Sequence, residues 1–198
     1  MELNVKEIVG VWDKGFSLDK HTIRSIRTGY NEYGHPEFKT LRTDIGEALF
    51  QLKYRSDFSQ CAVIAQSIND HIIPLLPLIS FIIAMPPSKI RQKQPVVEIA
   101  EALSHLTDKP CINDILLKSK NTLQMKDIPD RQVRIDTLLD AFELNSDAIA
   151  MKLPAASYNV LIIDDLFDTG TSLEAATRKL RECGKIGEIF VATATRKV

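Results

Sequence analysis

Between Tyr158 and Gly184 the chain reads YNVLIIDDLFDTGTSLEAATRKLRECG, and two kinds of chemistry stand side by side in it. Asp164 and Asp165 close an aliphatic run, and three residues later Asp168 opens a segment of small residues: Thr169, Gly170, Thr171 and Ser172. Hydroxyls and an unhindered glycine at the start of a helix suit a phosphate, because exposed N–H groups and the helix dipole favour negative charge there. Two carboxylates repel a phosphate, so Asp164 and Asp165 have to face hydroxyls or a metal ion. A ribose 5-phosphate satisfies both halves, with its phosphate on the loop and its diol on the acids.

Other chemistry has been attached to similar strings. VLIIDD has the form of a Walker B strand, but no G-x-x-x-x-G-K-[ST] segment occurs in the chain to hold a triphosphate. IIDDLFDT also resembles the nucleophile strand of haloacid-dehalogenase-type phosphatases, with Asp165 as nucleophile. There the remaining catalytic groups follow the motif, and too little chain follows Asp165 here to supply them.

The elements that must position these residues are legible around them. NVLIID reads as a buried strand, and TSLEAATRKLREC as a helix with a Leu173, Ala176, Leu180, Cys183 stripe. Thr171 and Glu174 have capping-box spacing, and Gly184 suits a C-terminal cap. Upstream, Ile45, Leu49 and Leu52, then Cys61, Ile64, Ala65 and Ile68, predict two amphipathic helices separated near Asp57. A buried strand is expected over Leu78 to Met85, a helix from Pro95, a mobile basic loop between Ile115 and Arg134, and a last strand at EIFVATAT. Strands alternating with helices predict an α/β fold, a mostly parallel sheet flanked by helices. Residues 1–42, polar and aromatic, are expected to form a small N-terminal addition to a core of residues 43–198, with core packing rather than base stacking expected for Trp12, Tyr30 and Tyr33.

Composition narrows the function classes. With 25 basic and 26 acidic residues the formal charge is −1, so no global field draws the chain to nucleic acid or to an acidic membrane. Cys61, Cys111 and Cys183 are scattered, which speaks against zinc or a disulfide framework. The apolar run from Ile72 to Met85 is broken by Pro74 and Pro77 and is too short to span a bilayer. The first residues lack the apolar block of a secretion signal, and a cytoplasmic protein is expected.

VLIIDDLFDTGTSL resembles the phosphoribosyl-diphosphate motif of type I phosphoribosyltransferases: an aliphatic strand, two acids, two apolar residues, then a T/S-G-x-T/S loop. Within that superfamily the chain is most similar to the ComF-like group, through Lys53-Tyr54-Arg55, the segment MPPSKIRQKQPVVEIAEAL, and Thr122, Gln124, Ala141 and Phe142. The resemblance implies a type I phosphoribosyltransferase-like core with a hood-like addition, and 5-phosphoribosyl 1-diphosphate as ligand. It implies magnesium, with Asp164 and Asp165 holding it through the diol or water, and a nucleobase-like acceptor. The turn at Pro87, Ser88 and Lys89, helped by Arg91, would take the diphosphate. Asp168 either acts as the catalytic base towards the acceptor or only shapes the loop, and Lys118, Lys120 and Lys126 resemble the mobile flap. A homodimer is implied as well. Two departures stand out: no cysteine precedes Cys61, where ComF-like chains often carry a zinc segment, and RQKQP replaces an R-G-F-N-Q-like string. They motivate a second expectation, a sensor subunit that binds the same ligand without turnover and acts through a protein partner.

Overall fold

The computed structural model describes residues 3–87, 91–120, 128–155 and 157–197. Along the chain, β1 (Lys6–Glu7) and β2 (Lys14–Lys20) precede a hairpin of β3 (Thr22–Tyr30) and β4 (Pro36–Arg42). The helices α1 (Asp44–Arg55) and α2 (Gln60–His71) lead to β5 (Phe81–Ala84) and α3 (Pro95–Thr107). There follow β6 (Leu116–Lys118), α4 (Arg131–Ala141), β7 (Phe142–Leu144) and α5 (Ser146–Lys152). The chain continues through β8 (Tyr158–Phe167), α6 (Thr171–Arg181) and β9 (Ile186–Arg196).

The fold is α/β. Five strands form one sheet in the order β1-β2-β9-β8-β5, parallel throughout except for the antiparallel edge strand β1. Val160 to Ile163 on β8 are fully buried, as a central parallel strand covered on both faces requires. Their side chains alternate. Leu161 and Ile163 pack with Ile45, Leu49, Ile64 and Ile99 on the α1–α2–α3 face, while Val160 and Ile162 pack with Leu138, Leu173 and Leu180 on the α4–α6 face.

The connections place a crevice. After β5 the chain crosses the first face through α3 to Cys111, which bridges Ile82 in parallel on the outer edge of β5. It returns past α4 and α5 on the second face to β8, and α6 carries it on to β9. The chain therefore leaves β5 in one direction across the sheet and leaves β8 in the other. Such a reversal opens a crevice at the carboxyl ends of the two strands, and the motif residues stand there.

Several expectations need correction. β2 belongs to the main sheet through its pairing with β9, so only the hairpin over 22–42 stands apart from it, while Trp12 is buried in the core as expected. Tyr30 and Tyr33 are 64% and 77% exposed, because a two-stranded ribbon has no second layer to cover it. The strand expected from Leu78 starts at Phe81, with Leu78 in solvent. Of the expected loop between Ile115 and Arg134, residues 116–118 pair with β7 and α4 begins at Arg131. Thr122, Gln124 and Lys126 lie outside the described residues, as do Ser88 and Lys89. Among the described residues no helix is long and apolar enough to cross a membrane.

Candidate functional site

Sheet register exposes the site. β5 ends at Ala84 opposite Ile163, so among the described residues Asp164 to Phe167 run on with β9 as their only sheet neighbour. The chain leaving β5 stays close: the Met85 N–H donates to the Ile163 carbonyl at 2.8 Å, and the Ala84 N–H to Asn113 Oδ1 at 2.7 Å. Pro87 and Arg91 are both exposed and do not line the pocket that the motif forms.

That pocket is built by the turn from β8 into α6. Gly170 has φ 72°, a left-handed conformation that favours glycine, and a Cβ there would lie 2.9 Å from Phe167 Cε2. Phe167 in turn meets the Trp12 ring edge-on, with centroids 6.2 Å apart and planes at 89°. Phe167 thus forms the floor of the loop. Thr169 and Thr171 hydroxyls lie 2.8 Å apart.

Gly170 is the N-cap of α6 and supplies no side chain to the first turn. The expected capping box does not form, since Thr171 is already helical. The Glu174 carboxylate turns away to Arg131 and Arg178, each at 2.5 Å, and its acidity is strengthened by both although burial opposes them. No side chain among the described residues caps the first-turn N–H groups. Gly184 likewise does not cap the helix, which closes on Glu182. Asp164, Asp168, Thr169, Gly170, Thr171 and Ser172 all line the resulting cavity of about 70 Å³. A cavity needs ~10–15 Å³ of such volume to hold one water, so this one has room for a few waters.

The two adjacent acids part company. Successive residues of a strand point to opposite faces, so Asp164 lines the pocket on the α6 side and Asp165 turns to α1. Asp165 Oδ2 accepts from the Lys53 ammonium at 2.7 Å, and its carbonyl accepts from the Thr195 hydroxyl at 3.2 Å. Asp164 Oδ1 accepts from the Asp165 N–H at 2.8 Å. Burial, and then the Asp165 charge, push the Asp164 carboxyl up to about 8, against the pull of that hydrogen bond and of Lys53. Asp168 is exposed and ion-paired with Lys197.

Lys197, His21 and Thr195 carried no motif signal. His21 Nδ1 lies 3.2 Å from the Thr195 hydroxyl, and its pKa is lowered by burial first and then by Arg42 and Lys53. The separation of the acids was readable from strand alternation within IIDD. The pair does not by itself make a magnesium site. Magnesium demands near-octahedral oxygen coordination, whereas these carboxylates face apart and one is already held by an ammonium. Among the described residues no three His, Cys, Asp or Glu side chains converge to hold a metal.

No protein-family model matches the chain, and no curated protein sequence does. Solved structures are similar to it. One adenine phosphoribosyltransferase is 13% identical over 89% of this chain and 95% of its own, with a TM-score of 0.43. The enzyme from Saccharomyces cerevisiae, complexed with an imino-altritol bisphosphate and adenine, is 13% identical over 85% of this chain and 83% of its own, with a TM-score of 0.41. That from Thermoanaerobacter pseudethanolicus is 14% identical over 88% and 95%, with a TM-score of 0.45. At these values the likeness is one of general chain path, and the functional reading rests on the residues of the site.

Proposed function

We propose that the chain binds 5-phosphoribosyl 1-diphosphate and transfers its phosphoribosyl group to a nucleobase-like acceptor, as in the ComF-like phosphoribosyltransferases that its sequence resembles. One observation carries the reading: a pocket with Asp164 on its wall, formed by an uncapped helix N-terminus at the switch point of the sheet. The 5-phosphate sits on the N–H groups of α6 and the hydroxyls of Thr169, Thr171 and Ser172. Burial, and then the Asp165 charge, raise the Asp164 carboxyl and favour its protonated form, in which it both donates to and accepts from a ribose hydroxyl. The diphosphate lies towards the turn after β5, where Pro87, Ser88, Lys89 and Arg91 follow. The hairpin of β3 and β4 serves as the acceptor-side hood, and the chain works as a homodimer. Magnesium would come with the diphosphate, and Asp164 and Asp165 would meet it through the ribose diol or water, as the resemblance implies.

A second reading, a sensor that binds without turnover, is favoured by one contact. Asp168, the candidate base, is tied to Lys197, and a base has to be free to take a proton. Titration with 5-phosphoribosyl 1-diphosphate, followed by a diphosphate-release assay over a panel of nucleobases, tests both. Binding with turnover supports the transferase; binding alone supports the sensor; absence of binding removes the shared premise.

A further inference from the structure

We infer that Arg131 and Arg178 are positioning residues: they hold the Glu174 carboxylate away from the start of α6 and so keep the first-turn N–H groups open to an anionic ligand. This rests on the sugar-phosphate reading above and concerns what keeps a rival carboxylate out of that site.

The sequence offers α6 two ways to begin. With Gly170 as N-cap the helix starts at Thr171, and the Glu174 N–H donates to the Gly170 carbonyl at 2.8 Å. With Thr171 as N-cap it would start one residue later, and Thr171-x-x-Glu174 would close a capping box. In that arrangement the Thr171 hydroxyl takes the Glu174 N–H, and the carboxylate reaches back to the Thr171 N–H. Both donors would be lost to a ligand, and a negative charge would stand where a phosphate has to bind.

The structure takes the first course, and the second is opposed from both ends. The Thr171 hydroxyl lies 2.8 Å from that of Thr169. Glu174 Oε2 accepts from Arg131 Nη2 and Oε1 from Arg178 Nη2, each at 2.5 Å, so both carboxylate oxygens are engaged. The Glu174 side chain is 7% exposed, and little water competes with the two guanidinium groups. Of the first turn of α6, Thr171, Ser172 and Leu173 line the pocket and Glu174 does not. The pocket is more than a helix end, since the largely enclosed Asp164 carboxyl lines it too.

Each arginine is placed by its own element. Arg131 is the first residue of α4, whose start is fixed by the Asp130 side chain accepting from the Val133 N–H at 2.9 Å. Ile135 and Leu138 anchor that helix in the core. Arg178 stands one turn after Glu174 on α6, a spacing that suits an ion pair. Both arginines are about half-exposed, so either can be shortened without opening the core. A merely structural clamp would be loosened alike by cutting either side of it. A clamp that restrains a carboxylate becomes dispensable once that carboxylate is gone, and this difference is measurable.

The test is calorimetric titration of the full chain with ribose 5-phosphate and with 5-phosphoribosyl 1-diphosphate, in magnesium, for the wild type, Arg131→Met, Glu174→Met and the two combined. Methionine replaces Glu174 because glutamine could itself close a capping box. Arg131→Met is expected to weaken both ligands ~5- to 10-fold, the effect of a like charge and a lost donor at a helix start. Glu174→Met and the combined variant should each bind within ~3-fold of the wild type. An unchanged Arg131→Met affinity, a loss that the combined variant does not recover, or an equal loss in Glu174→Met overturns the inference and leaves the sugar-phosphate reading standing. Wild-type binding to neither ligand removes that reading and the inference with it. Should Arg131→Met fail to fold, Arg178→Met, which frees the other oxygen of the same carboxylate, replaces it in the cycle.

Discussion

Replacing Asp164 by Asn should stabilise the ligand-free protein, and by an amount that grows with pH. The Asp164 carboxyl moves from 3.8 to about 8 on folding, chiefly because protein surrounds it. A group whose folded pKa is raised keeps its proton longer in the native state than in the unfolded one. Its contribution is fully present below pH 3.8 and is lost as pH rises through about 8. A shift of about four units, at ~1.4 kcal/mol each, sets a ceiling of ~5–6 kcal/mol. The carboxyl opens onto a pocket and Lys53 offsets part of its neighbour's charge, so ~1–3 kcal/mol is the expected effect. Asn cannot ionise, and its carbonyl oxygen can still accept from the Asp165 N–H. Urea unfolding of both proteins at pH 5, 6.5, 8 and 9 should show the stability difference widening by that amount across the series. A difference that stays constant from pH 5 to pH 9 would refute the reasoning, since it would mean that Asp164 ionises in the folded protein as it does in the unfolded chain.

Gly170→Ala forces a side chain onto a left-handed φ and against the Phe167 ring, and should cost ~1–2 kcal/mol together with most of the sugar-phosphate affinity; thermal melting and titration would show both, and an unaltered affinity would separate the loop from phosphate binding. Lys197→Ala removes an ion pair whose side chains are 58% and 50% exposed, so denaturant unfolding should move by less than ~1 kcal/mol. If Asp168 is the base, the same variant alters the pH profile of transfer. Burial pushes the Cys61 and Cys111 thiols up to about 11; a thiol reagent at pH 8 should therefore label them slowly in the native protein and rapidly in urea, and fast native labelling would contradict their placement.

Local pattern made much of this molecule readable, and long-range pairing made the rest opaque. The Ile45-Leu49-Leu52 and Leu173-Ala176-Leu180 stripes state their helices through periodicity, and both are buried as that spacing demands. The loop over 168–172 was legible because its glycine and hydroxyls are contiguous. Lys53 and Asp165 are 112 residues apart, and nothing in either segment announces the other. β2 escaped notice for a different reason: KGFSLDK carries Ser17 and Asp19 into the interior, where polar groups are unusual, and both are accommodated there beside β9. Tyr30 and Tyr33 were misplaced because aromatic content alone does not say whether a covering layer exists.

The floor under the loop over 168–172 has a consequence for the nascent chain. Trp12, which backs Phe167, is held in a segment where Asp13 accepts from the Ile189 N–H, across 176 residues. β2 itself pairs only with β1 and β9. Residues 168–172 leave the ribosome before β9 does, so the loop is synthesised ahead of the strand that brings Trp12 beneath it. Closing so long a segment is slow compared with forming the local helices. Anion binding should consequently be absent from ribosome-bound chains arrested before β9 and should appear only once that strand has emerged.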